Sequence, residues 1–357
     1  MLHTLLFLCM YFLGFVLAIT TNPAVSFALY EAVYFFYPSD RWWGTNVPDI
    51  SYSFYTVILM LGMLARELAK GSAQPRLLSA PQFRWTYFLL FLYGIAWFYA
   101  VSPDEHFEAF IYYLKLVVIV SVAFKLVDTT RKLDLCLWGY IFGSWYVSVL
   151  VYQTGRDRFG RVEGIGTVDS PDANGIAAAI APSLVACLYY FWTKSNKLHK
   201  LIFAFAGVFI ANALILINSR GSFLAAAISI VFFVYYMFFS SLQRKSQKMI
   251  AVIIAVAGIA GFVYLADDTF FARVQTMQNV EVNKEQQTGA TRLVFWASAW
   301  ELAKDRPFGS GFQGFNFYAP EYLPEDVDTG SRNRSVHSSW FEVLSEVGYL
   351  GLLIFMM

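Results

Sequence analysis

The stretch Leu214–Ile230, LILINSRGSFLAAAISI, decides how the chain must be folded. It lies inside a 40-residue run, Leu201 to Ser240, whose one charged residue is Arg220. A straight helix of that length would reach about 60 Å at about 1.5 Å per residue, roughly twice the hydrocarbon thickness of a bilayer. The run therefore reverses, and Asn218, Ser219 and Gly221 supply turn residues around the arginine. Two membrane helices joined at Asn218–Gly221 are expected, with Arg220 at a membrane face.

The rest of the composition agrees. The 357 residues are 58% hydrophobic, 19% aromatic and 14% charged, with a mean hydropathy of +0.51. A soluble surface needs more charge than this. The fold class is an all-α polytopic membrane protein. A formal net charge of +1 gives no basic excess for nucleic acid, which is excluded as a partner; membrane lipids are the expected surroundings. Cys9, Cys136 and Cys187 all lie in apolar runs, so neither a disulfide framework nor a thiolate metal site is indicated. The N-terminal run has no basic flank or small-residue cleavage site and reads as a retained helix.

Apolar runs fall at 2–19, 24–37, 51–65, 85–101, 107–124, 133–152, 174–192, 201–217, 222–240, 249–265 and 340–357, about eleven spans. The run at 24–37 is short and follows Asn22-Pro23, so a re-entrant or interfacial element is its other reading. The last run is still apolar at Met357, consistent with a chain ending within or at the end of a span. Every second loop is basic: Arg66, Lys70, Arg76 and Arg84; Lys125, Arg131 and Lys132; Lys194, Lys197 and Lys200; Arg244, Lys245 and Lys248. Those belong inside the cell. The intervening loops, with Asp104 and Glu105, with Asp157, Glu163, Asp169 and Asp172, and with Arg220, belong outside. Three regions follow: an N-terminal bundle at 1–265, a large outer loop at 266–339 between the last two spans, and a final segment at 340–357.

Within the loop, TRLVFWASAWELAKD spaces Leu293, Trp296, Ala297 and Trp300 as the stripe of an amphipathic helix lying on the membrane or the bundle. Arg220 either snorkels to lipid phosphates or binds an anionic group at the start of the helix that follows it. Arg292 opens the loop helix, and its bland reading is a surface charge. His337 stands where the loop re-enters the membrane. Glu342 and Glu346 follow at spacings that put neither beneath it, and Glu346 serves to satisfy buried backbone or polar groups. The DVD at Asp326–Asp328, the NRS at Asn333–Ser335 and the DEH at Asp104–His106 are set aside as a metal triplet, a glycosylation acceptor and a metal site; the last reads as a solvated helix end.

INSRGSFLA (Ile217–Ala225), TRLVFWASAWELAKDRPFGSGFQGF (Thr291–Phe315) and HSSWFEVLSEVGYLGL (His337–Leu352), in that order, resemble the O-antigen ligase and polymerase superfamily. YPSDRWWGTNVPDISYSFY (Tyr37–Tyr55), GRVEGIGT (Gly160–Thr167), SPDANGIA (Ser170–Ala177) and the form HSSWFEVL are closer to its exosortase A-associated O-glycosylation ligase branch. The resemblance implies a metal-independent glycosyltransferase without cofactors, in the bacterial inner membrane with its site facing the periplasm. Its donor would be a glycan on undecaprenyl diphosphate, and its acceptor a lipid A core sugar, a growing glycan or a protein hydroxyl. It matches Arg220 to the family's conserved turn arginine, Arg292 to its loop arginine and His337 to its essential loop histidine.

The chemistry of those residue types agrees. Guanidinium groups bind phosphate oxygens in pairs, and an imidazole accepts a hydroxyl proton near neutral pH. Arg220 and Arg292 then hold the diphosphate and His337 is the general base, with Arg161, Asp172 and Asn174 as sugar contacts on the same face. A polymerase would use the same machinery on a different acceptor. A transporter would need ionisable residues at mid-membrane on several helices and repeated halves, which the sequence does not display. The topology is checked with an impermeant thiol reagent on intact spheroplasts: cysteines replacing Ser219 and Gln286 should react and one replacing Ser246 should not, whereas labelling of position 246 alone would invert the scheme.

Overall fold

A computed structural model of the chain describes residues 2–71, 75–157, 160–162, 164–168, 172–241, 245–265, 271, 289–325, 327 and 335–357, with the backbone alone for Arg220, Leu265, Gly289 and Ala290. Glu163, Asp169, Arg244, Gln286, Asp326, Asp328, Asn333 and Arg334, which entered the reading above, lie outside the described residues. Among those described the structure is helical, without a strand. Each of the eleven apolar runs lies on a helix: α1 Leu2–Thr20, α2 Val25–Phe36, α3 Tyr52–Ala69, α4 Pro81–Ala96, α5 Pro103–Leu126, α6 Thr130–Thr154, α7 Ala173–Thr193, α8 Lys197–Ile217, α9 Arg220–Phe239, α10 Gln247–Leu265, and a final helix Ser339–Met356. Between the last two come α11, Gly289–Asp305, and α12, Gly314–Tyr322; the final helix is α13. Nine of the described helices are long and apolar enough to cross a membrane. α2, with 12 residues, and α4, with 16, are shorter than those nine.

The reversal in the long apolar run occurs where turn chemistry put it. Asn218 takes the left-handed conformation at φ 58°, and Arg220 is the first residue of α9. Asparagine enters that region more readily than most residues because its short polar side chain can bond locally.

The helices form two contact units, one of residues 1–72 and 126–274, the other of 73–125 and 275–357. The core of the first unit is built from α2, α6, α7 and α8. Phe203, Ala206, Ile210, Ala213 and Ile217 line the buried face of α8 at helical spacing. Small residues bring the backbones together where apolar packing alone must hold helices. A Cβ at Gly143 of α6 would lie 2.3 Å from the Phe35 ring of α2. By contrast α9 and α10 leave Leu224, Ile228, Val231, Phe232, Val256 and Val263 exposed, an apolar surface suited to lipid.

In the second unit α4 packs on α13 through Leu89, Tyr93, Val343, Val347 and Ile354, and α11 packs on both α12 and α13. The sequence reads 340–357 as one uninterrupted run, but α13 is broken. Val347 (φ −128°, ψ 15°) and Gly348 (φ 70°, ψ −164°) are non-helical and divide it into two short halves. In an apolar layer the backbone groups freed by a break must find partners in protein. The Pro307–Gln313 loop provides them: Ser310 N–H donates to Ser345 O (2.9 Å), Gly311 N–H to Glu346 O (2.9 Å), and Tyr349 N–H to Pro307 O (3.2 Å). Close approach demands glycine on both sides. A Cβ on Gly348 would lie 2.0 Å from Pro307 O, and one on Gly309 2.3 Å from the Glu346 carbonyl.

Gly348→Ala must therefore strain the backbone and push the loop away. We expect it to lose at least about 1–3 kcal/mol of stability, whereas Gly62→Ala, in open space on α3, should be neutral or mildly stabilising. Thermal unfolding in detergent, followed by size-exclusion chromatography, compares the two; equal midpoints would show that the joint does not hold the unit.

Candidate functional site

The first unit gathers four of the sequence candidates at one end. Arg161 donates through Nη2 to Asn174 Oδ1 at 2.9 Å. Asn218, two residues before Arg220, donates through Nδ2 to Gly160 O at 3.3 Å. Gly160 and Arg161 thus tie the start of α7 to the turn that starts α9. Asp172 Oδ1 accepts from Gly175 N–H at 2.8 Å. That is a helix N-cap, which gives Asp172 a structural role. The N-termini of α7 and α9 point their positive dipole ends toward this same end, a setting that favours anions.

Two arginines that the sequence reading did not single out hold this end together. Arg156 donates to Leu216 O (Nε, 3.2 Å) and Ile215 O (Nη2, 2.9 Å), the last carbonyls of α8. Arg41 is buried, and it donates to Phe36 O (3.0 Å), Phe35 O (3.1 Å) and Gly166 O (2.7 Å). Its neighbour Asp40 accepts from Gly166 N–H. A cation at a helix C-terminus meets both the orphan carbonyls and the negative dipole end. Burial pulls the Arg41 pKa below its ordinary value, while Tyr146 and Asp40 favour the charged form. The SDRWWGT and GRVEGIGT motifs, 125 residues apart at Arg41 and Gly166, are thereby one piece of structure. What could have flagged Arg41 and Arg156 is their place beside helix ends, next to a Pro-Ser-Asp turn and a Thr-Gly break.

Between α7 and α9 runs an open groove of ≈ 1610 Å³ lined by Ala178, Ala181, Pro182, Ala225, Ala226 and Phe232 among others. It extends from Gly221 and Ser222, beside the Arg220 turn, to Tyr236. Alanines on facing helices leave the space open, and its wall is mostly apolar.

The second unit brings Arg292 and His337 to one neighbourhood. The His337 ring lies 6.2 Å from that of Phe295, one turn along α11 from Arg292. His337 is exposed and left-handed, with φ 52°. Among the described residues the Nε of Arg292 is buried and has no hydrogen-bond partner. The loop helix exists as expected, and the face it packs on protein is a second one. Phe295, Ala299 and Leu302 are buried, while Leu293, Ala297 and Trp300 are exposed. Residues Leu293 to Leu302 carry two apolar stripes, and the one with Phe295 meets Phe315, Ala319 and Val336.

Glu346 satisfies buried groups, as its position in an apolar run requires. It accepts from Tyr93 OH at 2.7 Å and from Gln313 N–H at 2.9 Å. His106 corrects the reading of Asp104–His106 as a solvated end: its ring is buried, with Nδ1 accepting from Phe312 N–H at 2.8 Å and Nε2 within 2.9 Å of Tyr93 O. That pairing assigns the neutral tautomer protonated on Nε2.

Residues 205–356 match the family model described as O-antigen ligase. No curated protein and no solved structure matches the chain. The matched span holds the Arg220 turn, α11 with Arg292, and the His337 segment with the broken helix. Residues 205–356 of this multi-pass membrane protein thus carry the O-antigen ligase domain, similar to the O-antigen ligase superfamily.

Proposed function

We propose that the protein transfers a glycan from undecaprenyl diphosphate to an acceptor hydroxyl at the periplasmic face of the inner membrane. The observation that carries this reading is the convergence in the second unit of Arg292, its Nε unsatisfied among the described residues, with the exposed imidazole of His337. In the reaction, His337 accepts the hydroxyl proton and the acceptor oxygen bonds to the anomeric carbon. The bond from that carbon to the diphosphate oxygen breaks, and its electron pair leaves with undecaprenyl diphosphate. Arg220 and Arg292 stabilise the charge on the leaving group with no metal ion required. Arg161 and Asn174 contact sugar, and the polyprenyl tail lies in the groove between α7 and α9. With a lipid A core sugar or a protein side chain as acceptor the enzyme is a ligase; with a growing glycan it is a polymerase.

Support for the donor's place comes from the first unit. Two helix N-termini and the Arg161–Asn174 pair stand at the head of an apolar groove, the combination an amphiphile with an anionic head requires.

Donor binding and single-turnover transfer, measured side by side on folded variants, test the assignment. His337→Ala should lower turnover about 10²–10⁴-fold and leave donor binding intact. Arg220→Ala should weaken both, because the diphosphate is charged in the ground state as well as the transition state. Arg220→Lys should recover little, since an ammonium lacks the paired contacts. Wild-type turnover in His337→Ala would end the general-base assignment.

A further inference from the structure

We propose that Trp296 is the positioning residue for His337, holding the Val336 carbonyl before the histidine and the Phe341 ring four residues after it so that the imidazole is held at one angle. The inference rests on the general-base reading of His337 and adds a residue that touches neither the donor nor the acceptor.

His337 has φ 52°, in a region that side chains with a Cβ rarely occupy. Such a conformation persists only where the surroundings over-determine it, and it is common where geometry is part of function. Immediately before it, the carbonyl of buried Val336 accepts a hydrogen bond from Trp296 Nε1–H at 3.1 Å. Just after it, Phe341 in the first turn of α13 stacks on the Trp296 ring, with centroids 5.5 Å apart and an interplanar angle of 11°. One side chain therefore grips both flanks of the histidine. His337 N–H adds a contact of 3.3 Å to Ser335 Oγ.

The grip has a firm base. Trp296 stands on α11 between the buried Phe295 and Ala299, whose cluster includes Val336. At its far end α11 continues into the Pro307–Gln313 loop that is keyed into the break of α13. The half-helix following His337 is thus held at its start by Trp296 and at its end by the loop, both from one continuous segment. Arg292 lies one helical turn before Trp296 on α11, so the same grip fixes the spacing between arginine and histidine.

Trp296→Phe keeps a stacking ring and removes the indole donor, which releases the Val336 carbonyl. We expect kcat to fall about 10–100-fold, the scale of a misplacement near 1 Å, with the KM for the lipid-linked donor and the thermal midpoint unchanged. In the His337→Ala background Trp296→Phe should have no further effect, since it acts through the histidine. A second readout does not depend on turnover: the rate at which diethyl pyrocarbonate modifies His337, followed by mass spectrometry of its peptide, should change in Trp296→Phe while that of His199 does not. Full activity in Trp296→Phe, an equal loss in the His337→Ala background, or an unaltered modification rate would each overturn the proposal. Wild-type turnover in His337→Ala would instead remove the general-base reading, and the modification rate would still report whether Trp296 sets the histidine.

Discussion

A backbone carbonyl that loses its helical partner in an apolar layer must find another donor, and the second unit is organised around that requirement. The break at Val347–Gly348 exposes the Ser345 and Glu346 carbonyls and the Tyr349 N–H, and the glycine-rich loop after α11 meets all three. Once the loop is seated, its own polar groups need partners. Glu346 takes Gln313 N–H, and His106 takes Phe312 N–H. Each unsatisfied buried group would cost about 1–3 kcal/mol, so the joint forms as a set. The consequence for function is mechanical: α11, the loop and the first half of α13 become one rigid piece carrying Arg292 and His337.

The same constraint shapes the first unit by other means. There the orphan groups are helix-terminal carbonyls, and arginines rather than a loop backbone satisfy them. Arg41 serves the end of α2 and Arg156 the end of α8. Because Arg41 also reaches Gly166, and Asn218 reaches Gly160, the cap residues knit three separated stretches into the end where α7 and α9 begin. Apolar packing assembles the helices; polar capping decides where their ends lie.

How much of this was legible follows from the range of each interaction. The turn at Asn218 is local chemistry, so the residues beside Arg220 disclosed it. Helix positions followed from apolar runs, although 12 and 16 residues of helix in α2 and α4 are shorter than the runs suggested. The break in α13 was hidden. SEVGYLGL continues a mostly apolar run, and its one signal for the break is Gly348, whose need arises from Pro307, 41 positions upstream. The protein-packed face of α11 was not legible for a related reason: two apolar stripes share its sequence, and only the position of Val336 and Phe315 shows which one packs on protein. The sequence marks Arg161, Asp172 and Asn174 as sugar contacts; the hydrogen bond between Arg161 and Asn174 and the capping role of Asp172 depend on the fold.

In the proposed reaction the lipid-linked donor sits with its anionic head at the Arg220 turn and its tail along α7 and α9. A polyprenyl diphosphate carrying a diazirine in the isoprene units nearest the phosphate, irradiated with the purified protein and mapped by mass spectrometry, tests it most directly. Cross-links should concentrate in Gly221–Phe232 and Ala178–Val185 and disappear when unlabelled polyprenyl diphosphate is added in excess. Labels spread over the lipid-exposed faces of α1 and α3, undiminished by competitor, would contradict it.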